Sequence, residues 1–146
     1  MPNNHLHDDT IYGIKLPREG LIGDWVDEKA IHWMGGSKGD LLAMPPQVVR
    51  TFGHALGLAQ NGLSYPDAKV LTQFSPVVIE ILEGFSSDTY RAMYTAKYAG
   101  TIYVLHCFKK KSTTGRNLPM RDKQTIEARL KDVKAVESAK RQGKTK

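Results

Sequence analysis

The chain has 146 residues, of which 40% are hydrophobic and 25% are charged, and this composition is typical of one globular domain. It has no apolar run of the roughly 18 residues that a transmembrane helix needs, and no basic-then-apolar secretory signal at its start. Cys107 is the only cysteine, which excludes an intrachain disulfide framework. We therefore expect a cytoplasmic protein without a membrane segment.

The net charge of +6 is concentrated towards the end of the chain. Residues 1–100 carry 8 Lys and Arg against 11 Asp and Glu, whereas residues 101–146 carry 13 against 4. A basic end on a neutral-to-acidic body indicates an anionic partner, and nucleic acid is the first candidate. A solvated basic tail is the alternative interpretation of the same charges.

The first half of the chain predicts an irregular start, a strand and two helices. Residues 1–28 mix glycine, proline and acidic residues with scattered apolar ones, and we interpret them as an irregular extension. The segment KAIHWM at residues 29–34 predicts a short strand closed by two glycines. A short helix is predicted from Ser37. A second begins at Pro46, because proline suits the first helical turn and apolar residues then recur at helical spacing.

Strand patterns dominate the chain from residue 69 onwards. Residues 69–74 and 77–82 predict two short strands. In residues 89–108, TYRAMYTAKYAGTIYVLHCF, tyrosine and alanine alternate with other residue types over the first half. The tyrosines also lie four apart, which would suit a helix, but β-propensity and the break at Ala99–Gly100 favour a hairpin.

The last predicted helix starts at Pro119 and gives way to a basic tail from Lys134. In chain order, the predicted elements are thus a strand, two helices, a run of strands and a helix. This order predicts the α+β class, with a mainly antiparallel sheet and helices packed on one of its faces.

A two-residue turn at Ala99–Gly100 would fix the register of the hairpin, and the register decides which side chains share a face. One face would carry Arg91, Met93, His106, Phe108 and Lys110. The other would carry the tyrosine–alanine row with Tyr103, Leu105 and Cys107. Since opposed side chains in a hairpin lie about 5 Å apart, Arg91, His106 and Lys110 could converge on one anion.

Structural interpretations of the same residues also exist. A histidine in an apolar strand is commonly a satisfied structural residue, and Cys107 on the predicted core face is interpreted as a small buried hydrophobe rather than a nucleophile. The tyrosine row is better explained by core packing than by base stacking. No metal site is predicted, because His32 and His54 have no carboxylate or cysteine neighbours at ligand spacing.

Five segments resemble the HigB/RelE-like toxins of type II toxin–antitoxin systems, in particular the phage-derived HigB-like branch. They are GDLLAMPPQVVRTFGHALGLAQNG, PDAKVL, VIEILEG, DTYRAMYTAKYAGTIYVLHCFKKKSTTG and RDKQTIEARLKDV. The resemblance covers residues 29–136 as a toxin domain, and leaves residues 1–28 as the extension and residues 137–146 as a basic tail. It implies a microbial-ribonuclease-like fold, with an N-terminal helical pair and a C-terminal helix on an antiparallel sheet.

The resemblance also implies an activity and two partners. Toxins of this family are typically endoribonucleases that cleave messenger RNA on the ribosome. They use no cofactor, and a HigA-like helix-turn-helix antitoxin neutralises them. The alternative is a non-catalytic RNA-binding or ribosome-binding module with the same basic face.

Three residues of the predicted hairpin face take catalytic roles by this resemblance. Arg91 would hold the scissile phosphate, and Lys110 would stabilise the reacting phosphate or the leaving oxygen. His106 would be the general base, with a lysine of the 109–111 triplet as the alternative if the histidine is buried. The RNA backbone would be held by four further cations: Lys69, Lys109, Lys111 and Arg116.

Overall fold

A sheet with helices on both faces forms the body of the protein. The computed structural model describes residues 28–110 and 118–143, together with the backbone of two short paired strands, β1 (Thr10–Ile11) and β2 (Ile14–Lys15). The other elements are β3 (Ala30–Trp33), α1 (Ser37–Leu42), α2 (Pro46–Gln60), β4 (Lys69–Leu71), β5 (Val78–Phe85), β6 (Asp88–Thr95), β7 (Thr101–Lys110) and α3 (Met120–Arg141).

The sheet built from the described residues has five strands in the order β3-β7-β6-β5-β4. Its β4–β5, β5–β6 and β6–β7 pairs are antiparallel, whereas β3 runs parallel to β7. This arrangement confirms the predicted α+β class, with a mainly antiparallel sheet, an N-terminal helical pair and a C-terminal helix. Among the described helices, none combines the length and the apolarity that crossing a bilayer would require.

The helices cover both faces of the sheet, so the prediction that they pack on one face is wrong. Ala92 and Tyr94 of β6 pack in a core with α1 and α2, whereas Met93 between them packs in a second core with α3. Alternate residues of a strand point to opposite faces. Because the central strands β6 and β7 carry apolar residues at both parities, each face needs a helical cover.

The hairpin of β6 and β7 has the predicted register at its open end but not at its turn. Arg91 pairs with Phe108, and Met93 pairs with His106, as predicted. β6 ends at Thr95 and β7 begins at Thr101, so residues 96–100 form the connection in place of the predicted two-residue turn.

A β-bulge accounts for the difference in register. Thr95 pairs with Tyr103, one residue away from the predicted partner, and Leu105 is left without a partner in β6. Leu105 and His106 therefore both face α3. The prediction that Tyr103 and Leu105 share a face with Cys107 is wrong, because both pack against α3 whereas Cys107 packs against the helical pair.

Helix α3 continues to Arg141, so the prediction that it gives way to a tail from Lys134 is wrong. Two of its last residues are anchored to β7. The Tyr103 hydroxyl donates a hydrogen bond to Glu137, and Lys140 Nζ donates to the Tyr103 hydroxyl over 3.2 Å. These contacts join residues far apart in sequence. They hold the last turns of α3, whose polar composition gives no sign that they pack on the sheet.

Candidate functional site

One row of side chains crosses the sheet on its α3 face. The register pairs Lys69 of β4 with Glu80 of β5, Glu80 with Met93 of β6, and Met93 with His106 of β7. Paired residues share a face, and Met93 identifies this face as the one that α3 covers. The row therefore brings three polar side chains, Lys69, Glu80 and His106, onto the face beneath α3. Of these, only Lys69, at the sheet edge, is exposed.

Arg91 lies two residues from Met93 on the same face, in a buried ion pair. Its side chain is 4% exposed, and its Nε lies 3.2 Å from Oε2 of Glu80, whose side chain is 7% exposed. Arg91 Nε is not aligned for a hydrogen bond, so the contact is mainly ionic. The guanidinium also lies over the Phe108 ring, 5.8 Å from its centroid. Glu80 therefore offsets the charge of Arg91.

His106 is held between a carboxylate and an aromatic ring. Its Nε2 lies 2.8 Å from Oδ1 of Asp122, which belongs to the first turn of α3. Its ring stacks on Phe108, with centroids 4.4 Å apart and an interplanar angle of 23°. The other ring nitrogen, Nδ1, is buried and has no hydrogen-bond partner among the described residues. His106 is thus oriented on one side and unsatisfied on the other.

The two described lysines of the 109–111 triplet point to different faces. Lys110 pairs with Thr89, which places it on the face of Arg91 and His106, and it forms no ion pair with the described residues. Lys109 lies on the opposite face, with Nζ 3.5 Å from Oδ2 of Asp88. The register therefore separates the triplet as the hairpin predicts. Lys111 and Arg116 lie outside the described residues.

A cleft of about 480 Å³ opens beside the outer end of β7. Of the described site residues, His106 and Lys109 line it, together with Tyr90 and Phe108. The loop between α1 and α2 closes the other side, with Pro45 among its residues. Because Tyr90 and Lys109 lie on the face of the helical pair, the cleft opens mainly on that face, and neither Arg91 nor Lys110 lines it.

Cys107, between His106 and Phe108, is 2% exposed. Burial raises the pKa of its thiol well above the ordinary value, and the nearby Asp40 carboxylate adds to the rise. A thiol that resists ionisation is a poor nucleophile. The prediction that Cys107 is a buried hydrophobe is confirmed.

Sequence reasoning missed two acidic residues of the site, Glu80 and Asp122. Glu80 is the single charge within VVIEIL, and an acidic residue inside a strand pattern signals a buried partner. Asp122 follows Pro119 by three residues, where an acidic residue is ordinarily explained by the helix dipole. Its pairing with His106 depends on how α3 docks.

The described site lies in the part of the chain that matches a protein-family model. A family model with the description "Phage derived protein Gp49-like (DUF891)" matches residues 39–131. The match spans α2, the strands β4 to β7 and the first half of α3, and it contains Glu80, Arg91, His106, Lys110 and Asp122. No curated protein and no solved structure matches the chain.

Proposed function

The chain belongs to the phage-derived Gp49-like family, a toxin-like family of RelE/HigB type, and from this premise we propose that it is a toxin endoribonuclease. Its substrate in this proposal is messenger RNA on the ribosome, and cleavage inhibits translation. A HigA-like helix-turn-helix antitoxin neutralises it. The family supports a toxin-like function in a toxin–antitoxin setting, and the contacts of the site support the chemistry.

One observation carries the proposal: a histidine oriented by a carboxylate shares a sheet face with two cations. The Asp122 carboxylate lies 2.8 Å from His106, and Arg91 and Lys110 lie on the same face by register. Cleavage of RNA needs a base for the 2′-hydroxyl and positive charge around the phosphate. A histidine beside two cations supplies groups of both kinds.

The reaction that we assign needs no metal. The base takes the proton of the 2′-hydroxyl, and the oxygen attacks the adjacent phosphorus. The bond from phosphorus to the 5′-oxygen breaks, and that oxygen takes up a proton. The products are a 2′,3′-cyclic phosphate and a 5′-hydroxyl end.

In this proposal His106 is the base, and Lys110 and Arg91 stabilise the phosphate. The closest contact of Glu80 with Arg91 is at Nε, the nitrogen nearest the backbone, so we assign the far edge of the guanidinium to the phosphate. Lys110 is half-buried and has no acidic partner among the described residues, so its charge is available to the substrate. Four further cations are proposed to contact the RNA backbone: Lys69, Lys109, Lys111 and Arg116.

A second candidate function is a non-catalytic RNA-binding or ribosome-binding module. The burial of Arg91 in its pair with Glu80 favours it, because a charge used inside the protein is less available for a phosphate. The two candidates predict different RNA products.

The test is to induce the protein in cells and to map new RNA 5′ ends. We expect ends with 5′-hydroxyls inside coding sequences, and we expect none after induction of the His106→Ala variant. Growth arrest without new ends in the wild type would overturn the nuclease proposal in favour of the binding module.

A further inference from the structure

We propose that Asp122 is a positioning residue that fixes the tautomer of His106, so that Nδ1 is the atom that accepts the proton of the 2′-hydroxyl. The inference deepens the proposed nuclease function, and its catalytic part rests on that function. It assigns a role to a residue of α3 that the sequence alone does not single out.

The first step is the direction of the hydrogen bond between the two side chains. An ionised carboxylate only accepts hydrogen bonds, so the nitrogen beside it must carry the proton. Nε2 of His106 lies 2.8 Å from Oδ1 of Asp122. In the neutral ring, Nε2 is then the donor and Nδ1 is left with a free electron pair.

The ring of His106 and the carboxylate of Asp122 lie on two elements that are also held together by other contacts. One ring face stacks on Phe108. The helix that carries Asp122 is tied to the same strand by Arg129, whose Nη1 donates a 2.7 Å hydrogen bond to the carbonyl of Leu105. Leu105 is the bulge residue that immediately precedes His106. The carboxylate and the ring are thus fixed relative to each other from both sides.

Nδ1 of His106 has no hydrogen-bond partner among the described residues. It is also buried. Most buried polar atoms in native proteins are satisfied, and a catalytic role is one explanation for an exception. The His106 side chain as a whole is 12% exposed, and it lies on the face that also carries Lys110. A hydroxyl donor bound on that face would satisfy the ring.

In the proposed reaction the proton of the 2′-hydroxyl moves to His106. The 2′-oxygen loses its proton to Nδ1 while it forms the bond to phosphorus, and the ring becomes an imidazolium. The Asp122 carboxylate stabilises that positive charge through Nε2. The 5′-oxygen leaves with the electron pair of its bond to phosphorus and takes a proton from water. The imidazolium then returns its proton to the hydroxide so formed, which regenerates the neutral ring and water.

The test measures the tautomer and the cleavage rate separately, on the full chain. Nitrogen-15 spectra of the imidazole rings report which nitrogen of His106 carries the proton in the neutral ring. We expect a protonated Nε2 in the wild type. In Asp122→Asn, the amide can donate to Nε2, so we expect the proton to move to Nδ1. Cleavage of ribosome-bound RNA should fall by about 100-fold or more.

The matched control is Glu137→Gln, which removes the other carboxylate by which α3 contacts an aromatic ring of β7. It should leave both the His106 tautomer and the cleavage rate unchanged. Equal loss of cleavage in both variants would reduce Asp122 to a structural residue and overturn the inference. Retained cleavage in Asp122→Asn, with the tautomer reversed, would also overturn it.

The wild-type spectrum needs no substitution, so the inference can be tested even if the Asp122 variant does not fold. A protonated Nδ1 in the neutral wild-type ring would overturn it outright. A wild type that has the expected tautomer but cleaves no RNA would overturn the proposed function and leave the tautomer assignment intact.

Discussion

Both ends of α3 reach β7 through a carboxylate, yet the two contacts differ in how completely their polar atoms are paired. At the C-terminal end, the Tyr103 hydroxyl donates to Glu137 and accepts from Lys140, whose Nζ also lies 3.1 Å from Glu137. At the N-terminal end, Asp122 satisfies one nitrogen of His106, and the other nitrogen has no partner in the described chain.

The contact of Tyr103 with Glu137 and Lys140 stabilises the fold, whereas the contact of His106 with Asp122 leaves one ring nitrogen for the proposed chemistry. A closed polar network rigidifies a fold, whereas an unpaired buried atom lowers its stability. The family match ends at residue 131, so it includes Asp122 and stops before Glu137. We infer that the C-terminal contact contributes to the stability of the fold, whereas the N-terminal contact orients His106 independently of it.

The largest expected effect comes from comparing substitutions of the two β7 side chains that contact α3, His106 and Tyr103. His106→Ala should reduce cleavage by about 100- to 10,000-fold because the base is lost. Tyr103→Phe should leave the cleavage rate at the wild-type value, because the Tyr103 hydroxyl contacts Glu137 and Lys140 rather than His106. Single-turnover rates on ribosome-bound RNA would measure both. A large rate loss in Tyr103→Phe would remove the distinction between the two ends.

The next effect concerns the buried pair of Arg91 and Glu80. Arg91→Ala should destabilise the fold by about 3–5 kcal/mol, because it leaves the Glu80 carboxylate buried without a counter-charge. The double variant that also carries Glu80→Ala should recover part of this loss. Urea denaturation measures both. If Arg91→Ala alone unfolds no more easily than the wild type, the pair does not support the site.

The two lysines that point to different faces offer a smaller and cleaner comparison. Lys110→Ala should reduce cleavage by about 100-fold, because a preorganised cation near the phosphate is removed. Lys109→Ala should change cleavage much less, and should change stability by less than about 1 kcal/mol, because its contact with Asp88 is exposed. The same rate assay and a thermal melt check both variants. Equal rate losses would contradict the assignment of Lys110 alone to the phosphate.

The smallest expected effect is the pH dependence of the stability that the Tyr103 hydroxyl contributes. Burial raises the pKa of Tyr103, and its hydrogen bond to Glu137 adds to the rise. The unfolded chain ionises tyrosine near pH 10, so the stabilisation by the Tyr103 hydroxyl is complete below that pH and declines above it. Tyr103→Phe should therefore be less stable than the wild type by about 1–2 kcal/mol at pH 7.

The difference between the two proteins should shrink as the pH rises through 10, and denaturant titrations at several pH values would follow it. A stability difference that stays constant up to pH 11 would contradict the buried state of the Tyr103 hydroxyl.

Local patterns were enough to predict the fold class and the pairing of the hairpin that carries the candidate site. The spacing of apolar residues in α2 and the proline at its start predict that helix within a residue. The alternation in β6 predicts that Arg91 faces Phe108 and that Met93 faces His106. These features depend on residues close in sequence, or on one hairpin, and a single sequence contains that information.

The features that could not be predicted depend on docking between distant segments. The parallel pairing of β3 with β7 and the cover on both sheet faces follow from how the helices pack. Asp122 meets His106 across 16 residues of chain, and Glu137 meets Tyr103 across 34. The polar end of α3 looks like a solvated tail until Tyr103 is known to lie beneath it.

The bulge at Leu105 marks a position where β7 could lose a residue without turning its other side chains over. Val104 and His106 already point to opposite faces, opposite Tyr94 and Met93 respectively. Deleting Leu105 would leave a regular strand in which both keep their faces, at the cost of a buried core side chain and of the carbonyl that Arg129 binds. Removing a residue elsewhere in the strand would turn the following side chains over. A deletion at this position can thus shorten the distance between the hairpin connection and the His106–Asp122 contact while the remaining residues of β7 keep their faces.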